Sequence, residues 1–338
     1  MLEPPDIATD TLSACLRNTY GLHITDITFL PLGADVNTAV YRAVADDATP
    51  YFLKLRSGGL EEAAVTLPRL LRAQGIQQVI TPVETCAGKL WTVVDGFIMT
   101  LFPFVVGQDG YERRLTDQQW VELGTVLRAL HSMDLPVALM ETIPREEFAP
   151  HFRDLVRLFQ QQAGTVTFAD PIAAQMATVM QEQRDIITKL VNRAERYANK
   201  LRARLDGIPC VPCHADIHAW NVLIDESGKL YVVDWDTLII APKERDLMFI
   251  GAGIGDADWS DPRSAALLYQ GYGPTEVDAT AIAYYRYQRI VEDFAAYGEQ
   301  LLLTDEGGDD RAQSLRYFAS QFEPGDVVEI AFATDSER

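Results

Sequence analysis

The chain has 338 residues, 48% apolar and 23% charged, with 29 basic against 49 acidic side chains and a formal net charge of −20. That much apolar material excludes wholesale disorder, and the length suggests two domains or lobes, on a scale of about 100–200 residues per domain. A charge this negative excludes a general binder of DNA, RNA or anionic membrane, whose phosphates need a cationic surface, but is compatible with a nucleotide held by a few local groups or with a cationic small molecule.

The opening segment Met1-Leu2-Glu3-Pro4-Pro5-Asp6 has neither the basic nor the apolar region of a signal peptide, and no stretch approaches 18 consecutive apolar residues. Cys15, Cys86, Cys210 and Cys213 are few for the length, which suits a reducing compartment. A soluble cytoplasmic protein is expected; oligomeric state is left open.

The first hundred residues read as mostly β. Strands are predicted at His23–Leu30, Thr38–Ala45, Tyr51–Arg56, Leu90–Asp95 and Phe97–Phe102, from their Val, Ile, Thr, Tyr and Phe content. A single helix, about Leu60–Gln74 and ended by Gly75, interrupts them. Phe102-Pro103-Phe104-Val105-Val106-Gly107 reads as a hinge, after which the character becomes helical. Thr116 and Gln119 form a capping-box pattern, opening a helix with Trp120, Leu123, Leu127 and Leu130 on one face. One long helical pattern runs from about Ala173 to Leu205, a β-rich interlude covers Val211–Leu238, and further helices are expected at Pro262–Tyr272 and Asp278–Leu303. The acidic tail from Asp305 is expected to be partly loose. Residues 1–104 then form a small β-rich nucleotide-binding lobe with its hinge, and residues 105–338 a large, mainly helical catalytic and acceptor-binding lobe: a bilobal α+β architecture with a cleft between.

The strongest chemical signal is His214-Ala215-Asp216-Ile217-His218-Ala219-Trp220-Asn221, followed by Val222–Asp225, a turn at Glu226-Ser227-Gly228-Lys229, and Tyr231-Val232-Val233-Asp234. Phosphoryl transfer to a hydroxyl needs this set. One carboxylate, Asp216, orients the hydroxyl and accepts its proton; an amide oxygen, Asn221, and a second carboxylate, Asp234, are hard ligands for Mg²⁺ against the nucleotide phosphates. Upstream, Lys54 on an alternating strand is placed to meet phosphates, and Glu62 (or Glu61), at the start of the lone helix, could hold it by an ion pair. Gly33, in the turn Leu32–Thr38, could offer backbone N–H groups to phosphate. Cys210-x-x-Cys213-His214 also fits a haem-attachment pattern, but that pattern is short and covalent attachment needs an exported chain; the two Cys with His214 and His218 could form a zinc site, but that would use up His214 and crowd the Asp216 segment.

On these residues the chain resembles the aminoglycoside phosphotransferase family. Phe52-Leu53-Lys54, Leu127–His131, Cys213–Asp216 through Asn221, Val233–Asp236 and Lys243–Leu247 carry the resemblance, which spans roughly positions 20–300. Ala241–Gly251, Arg289–Asp293 with Tyr297-Gly298, and Val327–Thr334 are similar to its spectinomycin 9-phosphotransferase branch. The resemblance implies a protein kinase-like fold and ATP- and Mg²⁺-dependent phosphorylation of a hydroxyl on an aminocyclitol antibiotic, giving resistance. Asp216 is then the base, Asn221 and Asp234 the metal ligands, Lys54 the phosphate-binding lysine with Glu62 its partner, and Pro103–Val105 the adenine contact. Arg245 and Asp246 read as buttresses of the catalytic segment. Of the net charge, −4 falls in residues 1–104, −10 in 105–300 and −6 in the tail. An acidic acceptor lobe suits a cationic acceptor, with Glu292 and Asp293 as candidate ammonium contacts. A metabolic kinase of the same fold, acting on choline, homoserine or methylthioribose, would share every catalytic residue. A nucleotide-binding pseudokinase need not keep them.

Overall fold

The computed structural model describes residues 4–32, 37–59, 62–251, 257–305, 307–333 and 335. The chain divides into two compact units. The first comprises Met1–Leu115, Asp134–Ile143 and Trp220–Leu238; the second comprises Thr116–Met133, Pro144–Ala219 and Ile239–Arg338. The expected hinge therefore lies within the first unit, and the segment from Trp220 to Leu238 returns to it.

The first unit contains α1 (Thr9–Tyr20), β1 (Ile24–Leu30), β2 (Thr38–Ala45), β3 (Pro50–Arg56), α2 (Glu62–Ala73), β4 (Trp91–Val94), β5 (Phe97–Pro103), β6 (Gly107–Asp109), the short α4 (Val137–Met140), β8 (Val222–Asp225) and β9 (Leu230–Val232), numbered by position in the whole chain. Five strands form an antiparallel sheet in the order β1-β2-β3-β5-β4, and β6-β8-β9 form a second antiparallel sheet. Lys54 lies opposite Val40 on one side and Thr100 on the other. Because side chains alternate along a strand, its neighbours Leu53 and Leu55 go to the opposite face, where both are fully buried. That face is covered by α1, whose Leu12, Leu16 and Tyr20 join Ala39, Tyr41, Ala43, Met99 and Leu101 in one core. Helix α1 was not expected, a correction to the one-helix reading of this region. Its weak helix formers (Thr9, Thr11, Ser13, Thr19) hide an i, i+4, i+8 apolar stripe that only the sheet makes stable.

The second unit contains α3 (Asp117–His131), α5 (His151–Thr165), α6 (Pro171–Glu182), α7 (Arg184–Arg202), β7 (Val211–Cys213), β10 (Ile239–Ala241), α8 (Glu244–Leu247), α9 (Ala257–Ser260), α10 (Pro262–Tyr272), α11 (Ala279–Leu302), α12 (Gly308–Ser320) and α13 (Val327–Ala333). The 24-residue α11 is its axis, burying Tyr284, Tyr285, Tyr287, Val291, Phe294 and Leu301, and it packs on α5, α7 and α12. The expected capping box at Thr116 is formed, with both reciprocal bonds to Gln119.

Three helical expectations change. The long pattern from Ala173 is two helices: Gln183, at φ −96° and ψ 12°, ends α6 and begins α7. The break lets α6 pack on α5 and α12 while α7 lies along α11. Helix α5, which had no counterpart in the sequence reading, places Val156, Phe159 and Ala163 in the core. The described part of the tail, expected to be partly loose, is packed. Phe318 of α12 is fully buried edge-on to Phe294 at 5.1 Å, and Asp335, 4% exposed, accepts from Tyr287 Oη at 3.0 Å and Arg193 Nη1 at 2.5 Å.

Helices α3 and α10 approach to backbone contact through two glycines. A Cβ at Gly124 would lie 2.0 Å from the Leu268 carbonyl oxygen, and one at Gly271 1.8 Å from that of Val121. Either Gly→Ala change forces the helices apart, and denaturant unfolding of Gly124→Ala is expected to show a loss of about 1–3 kcal/mol, the scale of overpacking. Unchanged stability would show that the crossing yields at no cost.

Candidate active site

Chain geometry brings the expected phosphate and metal groups together in the first unit. Val232 N–H donates to the Gln78 carbonyl at 2.8 Å and Val233 N–H to the Asn221 carbonyl at 3.0 Å, which fixes the segment just before Asp234 against the residue that precedes β8. Asp234 itself has φ 62°, a left-handed conformation uncommon outside glycine, of the kind that gathers at functional sites. Its Oδ1 meets Lys54 Nζ at 2.9 Å, and Asp236 Oδ2 meets the same ammonium at 2.7 Å and Arg56 Nη1 at 2.5 Å. Burial alone would lower the Lys54 pKa, but the two carboxylates outweigh it and hold the ammonium protonated more firmly than usual. The pairing expected from the sequence is not the one formed: Glu62 is an exposed residue at the start of α2, and among the described residues Lys54 pairs with Asp234 and Asp236 instead. A lysine on the sheet face away from α1 thus reaches carboxylates 180 and 182 positions later in the chain. Gly33 lies outside the described residues. In the expected adenine segment, Phe104 N–H is taken by the Pro50 carbonyl at 3.2 Å.

Asp216 belongs to the second unit, where β7 delivers it on a tightly held turn. Asp246, wholly buried, accepts from His214 N–H at 3.0 Å and Ala215 N–H at 2.6 Å, and His131 Nε2 is 2.9 Å from the same carboxylate. His131 Nδ1 in turn lies 2.8 Å from Tyr272 Oη. These bonds stabilise Ala215 at φ 67° and hold the segment leading into Asp216. The expected buttress role of Asp246 thus has a geometry. The nearby Cys213 thiol is wholly buried, faces the Ala241 and Pro242 carbonyls at 3.6 Å, and is pushed well up by burial. His131, Cys213 and Asp246 offer ligand atoms within 4.8 Å of one another, but both His131 nitrogens and both Asp246 oxygens are already engaged in hydrogen bonds.

Both oxygens of Asp216 have cationic or polar partners. Oδ1 pairs with Arg289 Nη1 of α11, and Oδ2 lies 3.2 Å from His218 Nε2. Burial would raise this carboxyl, yet Arg289 and His218 together hold it well below the usual carboxylate range. Arg289 is also bonded through Nε to Asp293 Oδ1 at 3.1 Å, one helical turn on. Glu292 pairs with Arg245 Nη2 at 3.1 Å and accepts from Gln288 Nε2 at 3.3 Å. Asp293, by contrast, is raised by burial despite Arg289. Glu292 and Asp293 thus lie in one ionic network with Asp216, each already on an arginine. The network links Arg289 to Asp216, and the Lys54 site gains Asp236; neither had been singled out. The i, i+4 spacing of Arg289 and Asp293 was the available signal for the first, and the Asp-Trp-Asp alternation for the second.

Residues 28–283 match the phosphotransferase enzyme family. A solved spectinomycin phosphotransferase in complex with ADP and spectinomycin is 37% identical, covers 98% of this chain and 99% of its own, and superposes with a TM-score of 0.91. An AMP-bound complex of spectinomycin phosphotransferase is 36% identical over 98% of this chain and all of its own, with a TM-score of 0.86. Protein StrN of Streptomyces griseus is 26% identical over 238 residues, 69% of this chain and 72% of that protein. Among the described residues no helix is long and apolar enough to cross a membrane. The α+β fold is that of the kinase-like phosphotransferases, and the chain belongs to the phosphotransferase enzyme family that includes the aminoglycoside phosphotransferases.

Proposed function

We propose that this chain is an ATP- and Mg²⁺-dependent O-phosphotransferase acting in the cytoplasm on a hydroxyl of an aminocyclitol of the spectinomycin kind, and that it confers resistance to that antibiotic. The observation that carries this reading is its 37% identity over 98% of the chain to a spectinomycin phosphotransferase. Residues 1–104 are assigned to the nucleotide and residues 105–338 to catalysis and the acceptor.

In this reading Asp216 orients the acceptor hydroxyl and takes its proton, and Lys54 meets the nucleotide phosphates as a point charge. The donor set suits Mg²⁺: the Asn221 amide oxygen and the Asp234 carboxylate are hard ligands whose backbones are fixed next to each other, and both fall in the unit that carries Lys54. When bound, the ion neutralises charge on the phosphates. Asp236 keeps Lys54 placed when Asp234 turns to other work, a task first assigned to Glu62. Glu292 and Asp293, each paired with an arginine, stay the candidate contacts for the ammonium groups of a cationic acceptor.

The test is ADP release with ATP and Mg²⁺ against spectinomycin, other aminocyclitols and aminoglycosides, choline and methylthioribose. Turnover on spectinomycin is expected. Turnover confined to choline or methylthioribose would replace the acceptor and keep the chemistry. Lys54→Met is expected to lower kcat by about 10²-fold, the scale for one lost electrostatic contact to the transition state, with the circular dichroism spectrum unchanged. An unimpaired Lys54→Met enzyme would remove that lysine from the reaction.

A further inference from the structure

The Asp216 carboxylate is held from two directions. His218, two residues along the same turn, contacts Oδ2, and Arg289 reaches in from α11 to Oδ1. Arg289 is itself constrained on three sides: Nη1 is on Asp216, Nε is on Asp293, and its guanidinium lies over the Phe249 ring at 5.7 Å. An arginine fork bonded at two edges and stacked on an aromatic face has little freedom left. With 21% of its side chain exposed it is no surface pair. Such an arrangement is costly to bury unless the cation and its carboxylates stay together.

We propose that Arg289 is a positioning residue for Asp216, setting both the orientation and the charge of that carboxylate, with Asp293 as its anchor. The inference rests on Asp216 being the base of the proposed reaction; Arg289 itself need touch neither acceptor nor nucleotide. Around Asp216 the turn contributes His214, whose Nδ1 accepts from Asp216 N–H at 3.3 Å, and His218. Helix α11 contributes Arg289, Glu292 and Asp293, and α8 contributes Arg245 and Asp246, the former spent on Glu292 and the latter on backbone N–H groups. Arg289 is a permanent cation in direct contact with Asp216. Without it, burial and the acidic neighbours act on Asp216 with that permanent opposing charge removed.

The base must be ionised to work, so activity falls as pH drops through its pKa. In the wild type that fall lies below the ordinary carboxylate range. In Arg289→Gln the acid limb of kcat/KM is expected to move up by at least about one pH unit, the scale of losing a close opposite charge. kcat at neutral pH should fall about 10- to 100-fold from misorientation, and KM for ATP should stay unchanged. Arg289→Lys, keeping the charge without the fork, is expected to keep the acid limb near the wild-type position while kcat still falls. Arg289→Met, close in bulk over Phe249, carries the same test should the Gln variant not fold. Titration of the Asp216 side-chain carboxyl by ¹³C NMR, assigned with Asp216→Asn, follows the same shift without any turnover. An unmoved acid limb and an unmoved ¹³C titration in Arg289→Gln would overturn the proposal. An enzyme with no activity on any acceptor would instead overturn the proposed function, and the ¹³C titration would still decide for or against Arg289.

Discussion

Replacing Asp216 by Asn is expected to leave the fold in place and to lower kcat by about 10²- to 10⁴-fold, the contribution of a positioned general base. Asparagine keeps the shape of the side chain and can still accept at one oxygen, so Arg289 retains a polar partner there and its full ion pair to Asp293. What is lost is the negative charge and the proton-accepting oxygen. KM for ATP should hardly move, because Lys54, Asn221 and Asp234 belong to the other unit. A large loss in kcat with ATP affinity retained would therefore mark chemistry rather than folding. Near wild-type turnover would remove Asp216 from the role of base. Stability gives an independent check on sign. A carboxylate held below its unfolded pKa contributes stability that is present at neutral pH and lost as pH falls through the folded value. The wild type should accordingly be the more stable protein at pH 7, and the difference should shrink as the solution is acidified below the usual carboxylate range.

The sheet of the first unit was legible because its signals are local. Thr38–Ala45 and Phe97–Phe102 alternate or run apolar between turn residues, and the observed strands agree to within a residue. Lys54, Asp216, Asn221 and Asp234 stood out because phosphoryl transfer demands residue types at readable spacings. Three features escaped for one physical reason: their stabilising partners are far away in sequence. Helix α1 has poor intrinsic propensity and exists because Leu12 and Leu16 bury against Tyr41 and Leu101. The described part of the tail packs because Phe318 finds Phe294 and Asp335 finds Arg193, Tyr197 and Tyr287. The partner of Lys54 was sought eight positions downstream and found at 180 and 182. The net charge of −10 over residues 105–300 did point to an acidic acceptor lobe. It could not show that Glu292 and Asp293 would each be matched to an arginine, which makes part of that acidity internal structure rather than open field.

The largest effect on stability is expected at Asp246. Its carboxylate is wholly buried and is the acceptor for two backbone N–H groups and for His131. Burial pushes its pKa up, but the His131 hydrogen bond and charge, with the backbone donors, pull it below the usual value, so the native state holds it ionised. Asp246→Ala strands all three donors in a site with no water access of its own, and removing one partner of a buried charged network costs about 3–5 kcal/mol. Asp246→Asn keeps one acceptor oxygen but turns the other into a donor facing donors, and should fall between Ala and the wild type. Denaturant unfolding at pH 7 measures the order. Because the folded-state pKa is depressed, the advantage of the wild type is full above the unfolded carboxylate value and declines as pH drops toward the folded one. Activity adds a second reading. The same bonds hold Ala215 at its positive φ, so their loss releases the turn that aims Asp216. kcat should fall about 10²-fold in Asp246→Asn molecules that remain folded, as expected for a small misplacement of a reacting group. A variant as stable and as active as the wild type would show that the turn holds itself, and that the buried carboxylate is not what keeps Asp216 in place.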